Sequence, residues 1–381
     1  PVLINSNTSK EFNELAIIIP KLINQIPKLY FKNNKKQIAG FYFDGNEMLA
    51  EFAMLFHEKN IQIPCRLDLT HTKDGYKVLE ANIGSSIGGW QIHSFESAIR
   101  KLHKPLNEKN NFKQFKSINT QTIYLEFIIA KTLKYISLGE NEINVFIGLD
   151  TTYGTDEREE SLEFFNDLFQ AELKKRNLTG RAYSCSLSSL KLINNTLFLE
   201  NKKIHSVLLI DIVTEKIPTD IFRAFMMNKI YFPDHLGITM LGDKRNLGLL
   251  RKLAAQNKFL KEENELILKS IPWSATIKNC DVIFKNEKWS LLKLLRDMKD
   301  NFVLKPSNGF QGIDVFIGKD LSIKKWDNAI EIALSKEDFI AQEFCDSIDY
   351  DAPNESNKWV PNKLIWGVFG FGDTYGGVWV R

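Results

Sequence analysis

The chain has 381 residues, 44% hydrophobic and 25% charged, with 50 basic against 47 acidic side chains and a net charge of +3. That length predicts two or three packed subdomains with ample core. The near-balance of charge argues against a nucleic-acid partner, and no run reaches the roughly 20 apolar residues of a membrane span. Cys65, Cys185, Cys280 and Cys345 are widely spaced and form no CxxC or Cys/His cluster. They predict reduced thiols and, with no signal peptide in view, a cytoplasmic setting.

Residues 8–35 carry the apolar spacing of one or two helices, with Pro20 interrupting the run "LAIIIPKLI", and 44–58 predict another. The next stretch, "PCRLDLTHTKDGYKVLEANIGSS", reads as a β-hairpin. Strand side chains alternate with a period of two, so Arg66 shares a face with Asp68, and Glu80 with Asn82. A three-residue loop, Lys73-Asp74-Gly75, closed by Thr72 and Tyr76, sets Asp68 opposite Glu80 and Arg66 opposite Asn82. A two-residue loop at Asp74-Gly75 splits the four across both faces, so register is part of the expectation.

Two carboxylates directly opposite one another are unfavourable unless something positive offsets them. With the amide oxygen of Asn82 they make a hard, all-oxygen set suited to magnesium. The planar fork of Arg66 matches a phosphate. A surface hairpin with ordinary charges is the plain alternative.

The glycine-rich "IGSSIGGWQIHS" predicts a loop beside this site, then an Asn-rich linker, "KPLNEKNNFKQFK", and a helix over 119–137. From about 141 the strand "INVFIGLD", the helix "REESLEFFNDLFQAELKKRN", the short "AYSCSL", the hairpin "LKLINNTLFLENKKI" and the strand "SVLLIDIV" predict a small open α/β subdomain. "GDKRNLGLLRKLAAQ" opens a helix with Asp243 as its cap. In "FVLKPSNGFQGIDVFI" a strand delivers Lys305 into a turn holding Gly309 and Gly312, which lets backbone amides approach phosphate. It is neither a P-loop nor a dinucleotide fingerprint, since no helix follows, and a plain hairpin with a surface lysine fits it too. "FIAQEF" sets Gln342 and Glu343 at a strand end, where they could meet an adenine edge.

Taken together, these segments resemble the ATP-grasp enzymes. Their order, with the metal-type hairpin long before the nucleotide segments, resembles the circularly permuted branch typified by glutathionylspermidine synthetase. R-x-D, eleven residues, then E-x-N is met by Arg66, Asp68, Glu80 and Asn82. "LGDKRNLGLL" resembles the segment bearing a first ATP lysine, Lys244. "VLKPSNGFQGIDV" resembles the second, Lys305, and "YGGVWVR" the closing stretch with Arg381. The resemblance spans residues 40 to 381, roughly, and departs where no amidase part precedes it and where "DIVTEK" lacks the arginines of relatives.

The resemblance implies an α/β (α+β) class, a circularly permuted ATP-grasp fold with a small open α/β subdomain inserted between the two parts of the ATP site. Residues 1–115 would be the metal and phosphate part, 116–240 the small subdomain, and 241–381 the nucleotide part. It implies ATP and Mg²⁺, with Asp68, Glu80 and Asn82 as metal ligands. Arg66, Asp68, Lys244, Lys305, Gly309, Gly312, Gln342 and Glu343 would face the nucleotide, Arg66 also the transferred phosphate, and Arg381 a carboxylate or phosphate, with a terminal surface arginine as its plain alternative. Ser85, Ser86 and Trp90 are the substrate candidates, with Trp90 and His93 also reading as core. The implied reaction joins a small-molecule or peptide carboxylate to an amine through an acyl-phosphate. A thiol acceptor on a carrier protein and a non-catalytic nucleotide-binding scaffold are the alternatives.

Overall fold

The computed structural model describes residues 2–103, 115–149, 154–211, 215–309, 312–336 and 338–381. Most of the expected Asn-rich linker, and the middle of "DIVTEK", lie outside them.

The sheet that carries the hairpin is built from both ends of the chain. Its four antiparallel strands lie in the order Thr374–Val380, Ile365–Phe371, Pro64–Thr72, Gly75–Ile83. The N-terminal helix Ser6–Ile23 buries Phe12, Leu15, Ala16, Ile19, Leu22 and Ile23, an i, i+3/i+4 stripe that packs on this sheet. Phe12 meets Tyr76 edge-on and lies near Trp366, with ring centroids 4.6 and 5.8 Å away. Pro20 sits inside this helix rather than breaking it. Proline cannot donate to the carbonyl four residues back, that of Ala16. Gly370 lies against that same carbonyl, where an added Cβ would come within 2.3 Å.

The hairpin turn differs from the expected one. Two residues, Lys73 and Asp74, separate the paired Thr72 and Gly75, and Thr72 Oγ1 closes the turn by donating to the Gly75 carbonyl (2.9 Å) and accepting from Asp74 N (3.2 Å). Continued unbroken, that register would set Asp68 opposite Leu79. A bulge intervenes. Leu69 pairs with Val78 but Asp68 pairs with Glu80, so Leu79 is the extra residue. The pairs Asp68–Glu80 and Arg66–Asn82 therefore form as expected, by a tighter turn plus one inserted residue.

Lys305 stands on a second antiparallel sheet, ordered Phe316–Ile317, Phe302–Pro306, Phe339–Glu343, Ser274–Thr276 and backed by the buried Trp326 of helix Ile323–Lys336. The expected small subdomain is a parallel sheet of Ala182–Tyr183, Val145–Gly148 and Ser206–Leu209, covered by helix Thr155–Lys174 through Phe165 and Phe169. One core unites the N-terminal helices and the hairpin with helices Arg245–Ala255 and Lys261–Ser270 and with Trp366 and Val368. That core thus joins the expected first and third parts of the chain, and Met240 is its one buried member from the expected middle part.

Candidate active site

Asp68 is nearly buried, 6% exposed, and its carboxylate is gripped from two sides. Arg66 donates to both oxygens, Nε to Oδ1 at 2.7 Å and one terminal nitrogen to Oδ2 at 3.0 Å. Arg381, at the far end of the chain, reaches the same Oδ2 at 2.8 Å. The other terminal nitrogen of Arg66 donates to the carbonyls of Ile87 and Gly88. Its guanidinium is therefore fixed by the loop that follows the hairpin, with four acceptors for one planar fork. Asn82 Nδ2 donates to the Arg66 carbonyl (3.3 Å), which leaves the amide oxygen as its acceptor end.

Trp379 joins the two arginines. Its ring lies 5.6 Å from the Arg66 guanidinium carbon and 4.8 Å from that of Arg381, in cation–π range of both. Gly89 lets the ring sit there. Its φ is 76°, and a Cβ at this position would lie 2.1 Å from Trp379 Cε3. Gly89→Ala is therefore expected to displace the ring and cost about 2 kcal/mol or more. Denaturant unfolding checks this, and an unchanged midpoint would contradict it.

Opposite Asp68, Glu80 pairs with Lys244 at 3.1 Å. Lys244 also donates to the Gly309 carbonyl (2.6 Å), and its own N–H donates to Ser307 O (3.1 Å), tying the first lysine to the loop after the second. Lys244 itself occupies the N-cap position of helix Arg245–Ala255. Asp243, expected there, lies one residue earlier and accepts from Arg245 N at 2.8 Å.

Lys305 donates to Gln342 Oε1 (2.9 Å) and to the Leu79 carbonyl (3.0 Å), 226 residues away in sequence. That carbonyl belongs to the bulge residue, so the irregularity in the hairpin is what reaches across to the lysine sheet. Burial pulls the Lys305 ammonium down to about 8, against an upward pull from Glu80 and with Lys244 adding to the decrease. Gln342, 3% exposed, is thus committed to holding Lys305. Glu343 is half-buried, its carboxylate 3.7 Å from Lys285. Gly312 is exposed at the far side of the loop, with φ 74°.

The substrate candidates separate by access. Ser85 is fully buried, and its N–H donates to Asp234 Oδ1 at 2.6 Å. Trp90 is 3% exposed and stacks on Tyr124 at 4.9 Å, opening a short 3₁₀ turn rather than continuing the loop. Ser86 is exposed. His93 pairs with Glu96 at 3.0 Å. Packing thus claims Ser85 and Trp90, and Ser86 keeps the accessible surface.

Asp234 escaped sequence reading. Its second oxygen accepts from Leu209 N (2.8 Å), so one buried carboxylate pins the loop after the hairpin to the end of a strand in the parallel sheet. Burial pushes this carboxyl up to about 6, partly offset by the N–H groups of Leu209 and Ser85. A carboxyl raised on folding contributes stability that is present below its unfolded value, near 4, and lost as pH rises through 6. The stability of the wild type relative to Asp234→Asn is therefore expected to fall by about 2 kcal/mol between pH 4 and 6 and to stay level above pH 7. Denaturant titrations of both proteins across that range check it; a flat difference would contradict it.

No protein-family model and no curated protein matches the chain. Among solved structures it is similar to a D-alanyl-alanine synthetase A from Vibrio cholerae O1 biovar eltor str. N16961, with TM-score 0.30 and 14% identity over 60% of this chain and 68% of that one, a likeness too slight to carry weight. It is far more similar to a glutathione synthetase-like effector from Globodera pallida in its apo form. There the TM-score is 0.63 at 13% identity, covering 97% of this chain and 80% of that one. At such identity the likeness shows the fold alone, a mixed α/β architecture shared with that effector.

Proposed function

We propose that this protein is an ATP-dependent ligase that joins a carboxylate to an amine through an acyl-phosphate, releasing ADP and phosphate, on a circularly permuted ATP-grasp fold. One observation carries the reading. Two carboxylates that face each other on the hairpin are met by Arg66 of the same strand and by cations from distant segments, Lys244, Lys305 and Arg381. A purely structural hairpin gains little from such convergence, because buried charges are costly to desolvate. A site for polyphosphate and a divalent cation needs both signs at one place.

The donor set fits magnesium. Asp68, Glu80 and Asn82 offer only oxygen, and among the described residues no cluster of three or more His, Cys, Asp or Glu side chains competes with them. Magnesium bound there would supply charge to the phosphate oxygens of an in-line transfer. Lys244 and Lys305 hold the nucleotide phosphates, and the backbone at Gly309 and Gly312 approaches them. Gln342 keeps Lys305 aimed, and Glu343 at the strand end is the adenine contact. Arg66, fixed by the Ile87 and Gly88 carbonyls, stabilises charge on the transferring phosphoryl group, and Arg381 orients the substrate carboxylate. Ser86 marks the accessible side of the substrate loop. The chain's contribution is positioning and electrostatics, with no protein nucleophile.

The test is incubation with Mg-ATP, a pool of amino acids and small peptides, and hydroxylamine, read by mass spectrometry. The expected products are ADP and an acyl-hydroxamate whose mass names the acid. AMP as the main nucleotide product would contradict γ-phosphate transfer. With hydroxylamine left out, a thioester formed on added carrier protein and no amide formed from free amines would favour the thiol acceptor.

A further inference from the structure

Away from this site, a cavity of about 620 Å³ opens between the N-terminal helix, the segment entering the first hairpin strand and the end of helix Thr120–Thr132. Its floor is apolar, with Ile61, Ile63, Ile83 and Leu241, and Tyr135 lies at its side. Its polar lining is lopsided. Lys21, Lys59, Lys131 and Lys134 line it, and among the described residues no Asp or Glu does.

These lysines come from three separate parts of the chain, and each lies at or just past a helix C-terminus, where a cation is ordinarily preferred; what that preference does not supply is their convergence on one concavity. Lys21 pairs outside the lining with Asp373 at 2.6 Å, and Lys59 donates to a neutral acceptor, Asn228 Oδ1, at 2.6 Å. Lys131 donates to another neutral group, Gln62 Oε1. Burial first, and then the adjacent Lys134 charge, holds the Lys131 ammonium below the usual lysine range, and burial does the same to Lys59. Asp373, beside the lining, attracts both Lys21 and Lys131, but one carboxylate against four lysines leaves the concavity with surplus positive charge, which an anion relieves. The volume is that of an ordinary small-molecule site.

We propose that this cavity is a second ligand site, taking a multiply charged small anion of the phosphate-ester or pyrophosphate kind. Lysines suit this ligand as point charges that adapt to tetrahedral oxygens. The floor gives the site a route to the hairpin, because Ile83 follows Asn82 directly and Leu241 lies three residues before Lys244.

The experiment titrates inorganic pyrophosphate into the full chain by calorimetry, at low ionic strength and without magnesium. Wild type, Lys305→Met and the double variant Lys131→Gln/Lys134→Gln are compared. Lys305→Met disables the nucleotide site and is expected to keep the cavity's binding. In the double variant combined with Lys305→Met, affinity is expected to fall about tenfold or more. A charge-preserving Lys131→Arg/Lys134→Arg partner should retain binding, and Lys21→Gln, from another element, should weaken it. Thermal unfolding of each variant confirms folding. Absence of pyrophosphate binding in Lys305→Met, or equal binding with and without the two lysines, would overturn the proposal.

Discussion

Asp68→Ala is expected to lower the unfolding free energy by about 3 kcal/mol and, under the proposed function, to abolish turnover. The residue satisfies two guanidinium groups at once, with contacts of 2.7, 3.0 and 2.8 Å. Removing one partner of a buried ion pair costs about 3–5 kcal/mol, because the remaining charge stays desolvated. Arg381 has a side chain 38% exposed, so water recovers part of its loss, and the lower end of that range applies. Arg66, at 11%, has no such recourse. Asp68→Asn retains one acceptor and should cost less stability while losing turnover equally. The check is urea unfolding with m held constant; a loss under about 1 kcal/mol would show that the arginines are held elsewhere.

Lys305→Met is expected to behave differently: the protein folds, with stability within about 2 kcal/mol of wild type, and loses nucleotide binding. The variant forfeits hydrogen bonds to Gln342 and Leu79, at about 1–3 kcal/mol for a buried acceptor left unpaired. It also removes a charge that burial already penalises, which offsets much of that loss. The wild type should show a proton signature that the variant lacks. With the free lysine near 8, most of it is neutral at pH 9, and a bound phosphate restores its charge. ATP binding should therefore take up a proton at pH 9 and almost none at pH 6.5, and affinity should decline as pH rises past 8. Calorimetry in buffers of different ionisation enthalpy measures the uptake; equal uptake in Lys305→Met would assign it to another group.

What was legible in the sequence was local and periodic. Period-two alternation placed Arg66 with Asp68 and Glu80 with Asn82 on one face, and the glycine-rich turn marked the lysine strand. What escaped depends on partners far along the chain. The Leu79 bulge has no local signature; its carbonyl is claimed by Lys305 from a different sheet. The pairing of Pro64–Thr72 with Ile365–Phe371 closes the sheet over some 300 residues, and alternation within a strand says nothing of its neighbour. Helix Lys35–Tyr42 was missed, although Asn34 caps it by accepting from Gln37 N; its eight residues offer too few turns for a period. Trp379 could have been found, since it stands two residues before Arg381 on the same strand face. Asp234 could not, because a lone aspartate in "FPDHLG" reads as a turn residue.

The most direct test of the central claim is calorimetric titration of ATP into the full chain with and without magnesium. The account predicts saturable binding of one ATP per chain that requires magnesium and is lost in both Asp68→Asn and Lys305→Met. No binding at millimolar ATP, or binding indifferent to magnesium and to both substitutions, would contradict it.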